Sequence, residues 1–350
     1  MTPEIALLLA QDGVTTGAIY VLLALGTVLI FSVTRVIFVP FGDIVAYAAL
    51  TLAALQAGQL PGTVWLVLTA AGFALVLEAA SLVRRGDFHR LPRAFVLYGV
   101  LPALPVAAAW LLAGRQVPMA VQVTLTLALV LPISPLLYRI AFQPIADASV
   151  LVLLMVAVAL HFVVSGVALV FFGPEGSRPQ PLTTWVFNVG DMIFTGQMVL
   201  MLAAAALFGL LLFLFFARSL TGKALRATAV NRVGARLVGL RPATTGALAF
   251  LVASGLAGIS GILIGSYTTL YYDSGFVIGL KAFVGAIIGG LYSYPGAALG
   301  AILVGLLESY AAFWNSAIKE IVVFGALIPI LIWQSLIRGT AAEVEEEEEL

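Results

Sequence analysis

Ionisable residues inside long apolar stretches are the first candidates for chemistry in this sequence. Lys281 and Glu308 lie in the stretch 279–308, which is otherwise almost wholly apolar and rich in glycine. Because a charge is costly inside a membrane segment, it marks a functional site or a paired structural site. We expect Lys281 to pair with Asp273 or Glu308 or to meet a carboxylate of a solute, with snorkelling to the interface as the alternative. Glu308 is expected to be a partnered or protonated carboxylate or to line a path.

Two further polar positions stand in apolar surroundings. His161 and Ser165 lie one helical turn apart, a spacing at which a histidine base can activate a serine nucleophile. No acid lies in the same stretch and no GxSxG motif surrounds the serine. An interhelical hydrogen bond from His161 is therefore favoured over an intramembrane hydrolase. Asp43 follows Gly42 where a span begins, and capping of that helix is slightly favoured over contact with a solute.

The composition places these candidates in a membrane protein. Of 350 residues, 62% are hydrophobic and 10% are charged, whereas soluble domains carry about 25% charged residues. Apolar runs predict an all-α polytopic protein of the cell membrane, a bundle of about 10–11 transmembrane helices. The expected spans are 14–33, 41–57, 62–83, 92–113, 118–139, 148–172, 197–217, 245–268, 278–293, 296–313 and 319–337.

Residue types that the chain lacks argue against several kinds of site. The sequence has no cysteine and only 2 histidines, which argues against thiol catalysis and a histidine or cysteine metal site. A net charge of +0 gives no attraction for nucleic acid. The phosphate-binding pattern GxxxxGK(S/T) is absent, so we expect no ATP hydrolysis by this chain and no bound cofactor.

The basic loops give the expected orientation. Basic residues crowd the loops near 84–93 and 218–241, and an even number of spans separates them. The positive-inside rule places both loops in the cytoplasm. The N-terminus and the loop 173–196 then fall outside, and the C-terminus falls inside. The run of glutamates within 341–350 is expected to form an acidic disordered tail.

The segment 218–242 is the most basic of these loops and holds no acidic residue. The residues that recur at helical spacing are Leu225, Thr228, Ala229, Arg232, Ala235 and Arg236. This pattern predicts one short helix at the membrane surface, bracketed by Gly222 and Gly239 and stopped at Pro242. The helix could bind a cytoplasmic partner that supplies energy, or it could simply fix the orientation of the protein in the membrane. Composition alone favours the second reading.

Three groups of residues together resemble one known family. The first group begins near the N-terminus with Gly17-Ala18-Ile19-Tyr20, Ala24-Leu25-Gly26 and Arg35-Val36-Ile37, and continues with Gly42 and Asp43 and, further along the chain, with Tyr138-Arg139, Phe142 and Pro144. The basic loop contributes Gly222, Arg226, Ala227, Ala235 and Gly239. The downstream group comprises Gly279-Leu280-Lys281-Ala282-Phe283, Gly289-Gly290, Pro295-Gly296-Ala297, Gly300, Gly305 and Glu308. In these residues the chain resembles the permease subunits of branched-chain amino-acid (leucine/isoleucine/valine) ABC importers.

The sequence departs from that family partly where a solute path is expected. Where the family usually runs Asn-Phe-Ala-His-Gly, this chain has Phe-Val-Pro-Phe-Gly at 38–42, so phenylalanines replace two polar side chains. The stretch 156–166 also lacks most of the family's polar groups and carries His161 instead. The resemblance makes 1–340 a single permease domain in which 60–117 is expected to be an insertion of two spans.

The resemblance implies an importer driven by ATP. Its partners would be a second permease subunit, two cytoplasmic ATPase subunits and an extracytoplasmic solute-binding protein, all at or in the lipid membrane. The implied site residues are Gly222, Arg226, Ala227, Arg232, Ala235 and Gly239 for coupling to the ATPases, and Asp43, His161, Lys281 and Glu308 for the solute path. Branched-chain or related amino acids are the expected solutes. The alternatives are the same machine for an amide, urea or nucleoside, or a stand-alone channel or ion-coupled carrier.

Overall fold

The computed structural model describes residues 2–115, 117–190, 192–291 and 293–335 and is built almost entirely of helices. The helices are α1 (Pro3–Thr34), α2 (Phe41–Gln56), α3 (Thr63–Arg85), α4 (Phe88–Leu112), α5 (Met119–Ile145), α6 (Val150–Phe172), α7 (Gly196–Arg218), α8 (Leu220–Val230), α9 (Arg232–Leu237), α10 (Pro242–Tyr267), α11 (Ser274–Ile288), α12 (Tyr294–Trp314) and α13 (Lys319–Gly325). Helices α4 and α5 each include a π-helical turn, at Val96–Val100 and Tyr138–Phe142 respectively.

The expected all-α polytopic membrane architecture is confirmed. In the described part of the chain, 8 helices have the length and composition to cross a membrane, and the apolar helices α2 and α11 are shorter. The last expected span, 319–337, is not one helix. Helix α13 ends at Gly325, the chain turns at 326, and helix resumes over 327–335. The rest of that span and the predicted acidic tail at 341–350 lie outside the described residues.

Helix α1 lies at the centre of the bundle, packed against α7, α10, α11 and α12. Its residues 17–26 are buried on every side, which fits a helix that is hydrophobic all round. Its backbone approaches that of α12 closely, because a Cβ on Gly305 would lie 2.3 Å from the carbonyl oxygen of Gly13. Small residues at such crossings allow the close packing that holds helices together in a bilayer.

The chain between α1 and α2 is not helical and is largely enclosed by protein. Arg35 adopts a left-handed conformation (φ 60°) that ends α1. The following residues run back into the bundle, where Phe38 packs edge-on against Phe142 and Phe250. Helix α2 then begins at Phe41, whose ring lies against Gly26 of α1. Irregular backbone is tolerated inside a membrane protein only where protein or a cavity surrounds it.

A small β-hairpin is the exception to the helical architecture. Strands β1 (Val186–Val189) and β2 (Met192–Thr195) pair antiparallel between α6 and α7. Gln11 of α1 donates a hydrogen bond from Nε2 to the carbonyl oxygen of Ile193 at 2.7 Å. The hairpin therefore covers the end of the bundle from which α1 and α7 both start.

Candidate solute path and coupling surface

Asp43 and His161 form a buried pair between α2 and α6. Nδ1 of His161 lies 2.7 Å from Oδ2 of Asp43, and only 7% of His161 and 1% of Asp43 are exposed. The His161 ring stacks on Phe276 of α11 with 4.5 Å between ring centroids. The structure thus shows the interhelical hydrogen bond expected of His161, with the acid supplied by a different helix.

The expectation that Asp43 caps α2 is wrong. Pro40 holds the cap position, no side chain there binds the first amides, and Asp43 lies within the first turn. A carboxylate in the first turn still interacts favourably with the positive end of the helix dipole. Its second oxygen, Oδ1, is buried and has no hydrogen-bond partner among the described residues. One acceptor atom of this carboxylate is therefore unused in the interior.

An apolar cavity of about 250 Å³ lies beside His161, where the chain between α1 and α2 is not helical. Its aromatic wall consists of Phe38, Phe41, Phe162, Phe276 and Phe283. Among its lining residues, His161 is the one with a titratable side chain. Two of these phenylalanines, Phe38 and Phe41, stand where the permease family that the chain resembles has polar side chains. The cavity thus places an imidazole at the edge of an apolar, aromatic space.

Lys281 and Glu308 form a second buried pair, between α11 and α12. Nζ of Lys281 lies 2.5 Å from Oε1 of Glu308, and the hydroxyl of Tyr20 donates to Oε2 at 2.6 Å. Glu320 lies 3.6 Å from Nζ of Lys281, and Nζ of Lys319 lies 4.0 Å from Oε1 of Glu308. The pair is the inner part of a network that joins α1, α11, α12 and α13.

The snorkelling alternative for Lys281 is wrong. Only 5% of its side chain is exposed, and its amino group points to carboxylates of the bundle. Within the described ranges, its ion-pair partners are Glu308 and Glu320, not the Asp273 that the sequence also offered. Pairing returns part of the free energy lost when the amino group leaves water.

Helix α11 separates the two pairs. Gly279 lines the apolar cavity, whereas Lys281 lines a polar cavity of about 420 Å³. Helices α2 and α11 touch backbone to backbone, because a Cβ on Gly42 would lie 1.9 Å from the carbonyl oxygen of Gly275. The four residues predicted for the solute path are therefore two pairs around one helix rather than one cluster. A contact of any of them with solute stays a prediction.

Three members of the charged network were missed by sequence reasoning. Tyr20 lies in the N-terminal motif that carried the resemblance, but nothing in an apolar helix announces a partner 288 residues away. Lys319 and Glu320 stand next to each other at the start of α13. Two opposite charges beside an apolar run are a signal in the sequence that both side chains have partners. Lys319 could have been matched to Glu308, and Glu320 to Lys281.

The basic segment forms two helices, not the single helix expected over 222–239. Helix α8 ends at Val230, and Asn231 is extended (φ −148°, ψ 102°). The Oδ1 of Asn231 accepts a hydrogen bond of 2.8 Å from the backbone N–H of Gly234 in α9. An asparagine that caps one helix from an extended backbone also ends the helix before it. Gly239, at φ 86°, closes the segment.

The inner face of this segment is packed on the bundle. Its buried residues are Gly222, Leu225, Thr228 and Ala235. A Cβ on Gly222 would lie 2.2 Å from the carbonyl oxygen of Phe215, so α8 can approach α7 this closely only with glycine there. Arg232 donates from Nη1 to the carbonyl oxygen of Ala146 at 3.3 Å. Arg232 therefore ties α9 to the loop between α5 and α6.

The outer face of the segment carries accessible apolar side chains between its exposed basic residues. Val230, Val233 and Leu237 are 82%, 66% and 84% exposed, and Ala227 is exposed beside them. Arg226 is also exposed, but its side chain lines a groove between α1, α7 and α12. Exposed apolar side chains of this kind are typical of surfaces that contact protein or membrane.

Arg139, part of the resembling motif, is bound by a residue of the expected insertion. Its Nη2 and Nε lie 2.7 and 2.8 Å from Oε2 of Glu78 in α3. The stretch 60–117 contains α3 and α4, both long and apolar enough to span a membrane. That this stretch is an insertion stays a prediction, but its helices are joined to the bundle by a partly buried ion pair.

Comparison with known proteins decides the family. The sequence profile described as "branched-chain amino acid transport system / permease component" matches residues 92–331. The chain belongs to this family. It is 31% identical over 203 residues to the high-affinity branched-chain amino acid transport system permease protein BraD of Pseudomonas aeruginosa, covering 56% of this chain and 66% of BraD. It is also 31% identical over 207 residues to LivH of Escherichia coli K12, which bears the same description, covering 55% and 65% of the two chains.

A more distant relative is similar over a shorter stretch. The probable branched-chain amino acid transport permease protein LivH of Methanocaldococcus jannaschii is 27% identical over 149 residues, 46% of its length. The matches thus span just under two thirds of the bacterial relatives and less of this one. Membership of the permease family and the apolar helices make the chain a multi-pass protein of the cell membrane, and the relatives it matches are transport components.

Proposed function

We propose that this chain is a permease subunit of an ATP-driven importer of branched-chain or related amino acids. The observation that carries the proposal is the family match over 92–331, which includes the basic segment and both helices of the Lys281–Glu308 pair. In this machine a second permease completes the pathway, two ATPases supply the energy, and an extracytoplasmic binding protein delivers the solute. The N-terminus and β-hairpin then face outward, and α8 and α9 face the cytoplasm.

The coupling surface is the outer face of α8 and α9. Val230, Val233 and Leu237 offer the apolar contact for an ATPase. Movement of that partner reaches the bundle through the opposite face, because Leu225 and Ala235 are buried there. The break at Asn231 allows α8 to follow α7 while α9 follows the loop at Ala146. Rigid-body movement of helices around a fixed site is a common basis of alternating access.

The apolar cavity beside His161 is the part of the path that selects the solute. Its wall of phenylalanines offers no hydrogen bonds to an amide, a urea or a nucleoside, and it suits an aliphatic side chain. The Asp43–His161 pair adjoins this space and supplies polar atoms near it. This lining favours a branched-chain amino acid over the more polar solutes that the sequence left open.

The docking part of the proposal is tested by Val233→Glu in the full-length chain expressed with its transport partners. A glutamate on the apolar face should abolish co-purification of the ATPase, because docking would desolvate an unpaired charge. Val186→Glu on the β-hairpin is the matched control, since that valine is also exposed but lies at the other end of the bundle. Full recovery of the ATPase with the Val233→Glu chain would contradict the assigned surface. Both variants must insert into the membrane at the wild-type level.

A further inference from the structure

A second large apolar space shares no lining residue with the cavity beside His161. It is a groove of about 610 Å³ between α1, α7 and α12. Its walls include Val21, Leu25, Ala206, Gly209, Ala298 and Ile302. The groove opens on the outer surface of the bundle, because Leu210 and Phe213, which also line it, are 55% and 65% exposed. Along most of its length it therefore presents hydrocarbon to the membrane.

One end of the groove is basic. Arg226 of α8 lines it there, beside Tyr294 at the start of α12. Arg218 and Lys223 are exposed nearby in the chain, and 218–242 contains no acidic residue. Within the described ranges, the ion pairs of the protein involve other cations, and none includes Arg226. The guanidinium is thus available to an anion at the mouth of an apolar groove.

We propose that this groove binds an anionic phospholipid from the leaflet at the basic end. The acyl chain lies along Leu25 and Gly209, and the headgroup phosphate accepts hydrogen bonds from Arg226. A guanidinium presents a planar set of donors that fits phosphate oxygens, and basic residues near the membrane surface attract anionic lipids. The two ends of the site match the two ends of a phospholipid. The site is apolar along the helices, where the acyl chain lies, and cationic at the membrane surface, where the anionic headgroup lies.

The observations favour lipid over the two other occupants of such a groove. A small polar solute would find no polar side chain along the α1 and α7 walls, which Val14, Ala18, Leu202 and Ala205 also line. A helix of a second permease would bury Arg226 without any carboxylate from this chain to compensate it, which is costly. A lipid brings the compensating charge itself. The site also joins α8 to α12, so its occupancy would brace the segment assigned to coupling.

The test is native mass spectrometry of the purified full-length chain titrated with phosphatidylglycerol or phosphatidylcholine. We expect selective retention of phosphatidylglycerol. Arg226→Gln should weaken that binding about tenfold or more, as for loss of a hydrogen bond between charged groups. Arg226→Lys should weaken it less, because the charge remains. Arg85→Gln is the matched control and should have no effect, since Arg85 is an exposed arginine at the end of α3 and does not line the groove.

A second variant tests the groove rather than the charge. A Cβ on Gly209 would meet only the Leu25 side chain, at 3.8 Å, so Gly209→Phe should fold and fill the groove. It should abolish retention of phosphatidylglycerol while leaving the melting temperature within a few degrees. Equal effects of Arg226→Gln and Arg85→Gln, or full binding by Gly209→Phe, would overturn the proposal. So would a photo-crosslinking residue at Ala206 that labels a second permease chain instead of lipid in the assembled complex.

Discussion

The Lys281–Glu308 pair gives the sharpest prediction about what holds the bundle together. Lys281→Met replaces a buried cation with an uncharged side chain of nearly the same length. The Glu308 carboxylate then stays in the interior without the lysine. Removing one partner of a buried pair destabilises by about 3–5 kcal/mol. Lys319, 4.0 Å from Oε1 of Glu308, remains as a partial partner, and so does the Tyr20 hydroxyl. We therefore expect the lower end of the range, about 3 kcal/mol.

The double variant Lys281→Met/Glu308→Met separates pairing from packing. It leaves no unpaired charge at the pair and replaces both partners with apolar side chains, which is often neutral or stabilising. The double-mutant cycle should give a favourable coupling energy of about 2–3 kcal/mol between Lys281 and Glu308. Tyr20→Phe, which removes one hydrogen bond to the carboxylate, should cost only about 1.5 kcal/mol.

The assay is reversible unfolding of the wild type and of four variants, Lys281→Met, Glu308→Met, the double variant and Tyr20→Phe, in one mixed-micelle system. All free energies of unfolding are compared at the same detergent composition, and membrane insertion is checked first. If the double variant loses the sum of the two single losses, the residues are not coupled and the buried pair does not stabilise the bundle. A change in the free energy of unfolding of less than about 0.5 kcal/mol for Lys281→Met would contradict a buried, paired side chain.

Two further predictions concern backbone packing and the contact with α3. Gly42→Ala should destabilise the protein by about 1–3 kcal/mol or prevent folding, because its Cβ would strike the Gly275 carbonyl oxygen. The control Gly72→Ala, with no atom within 4 Å of its Cβ in α3, should be neutral or stabilising in thermal denaturation. Glu78→Gln should cost about 1.5–3 kcal/mol by weakening the bonds from Arg139. An unchanged melting temperature would show that the Glu78–Arg139 pair is solvated and contributes nothing.

The membrane architecture could be predicted because its signal is local. Hydrophobic runs located the spans, and most predicted ends differ from the helix ends by only a few residues. Helix α1 is the main exception, since it begins at Pro3 rather than near residue 14. Polar and acidic residues before residue 14 interrupt the hydrophobic run and so hide the true start of the helix. In the structure the Asp12 carboxylate accepts hydrogen bonds from the hydroxyls of Tyr267 and Ser309. Tertiary hydrogen bonds of this kind leave no trace in a local pattern.

The pairings at the candidate site were predictable only where few partners were possible. Lys281 has two candidate carboxylates in the sequence, Asp273 and Glu308, and the structure pairs it with Glu308. Asp43 and His161 both stand out as polar residues in apolar stretches, but their pairing depends on how α2 and α6 pack, which neither helix encodes alone. The break at Asn231 was missed because apolar spacing continues across it. The capping chemistry of asparagine was the local signal that should have divided the predicted helix.

The most direct test of the central claim is uptake of radiolabelled leucine into proteoliposomes that hold this chain with its second permease and ATPases. The binding protein is added outside and ATP is enclosed. We predict uptake that requires ATP and the binding protein and that is lost with Val233→Glu but kept with Val186→Glu. Leucine uptake by this chain alone, without ATPase or ATP, would contradict the account and identify a carrier or channel instead.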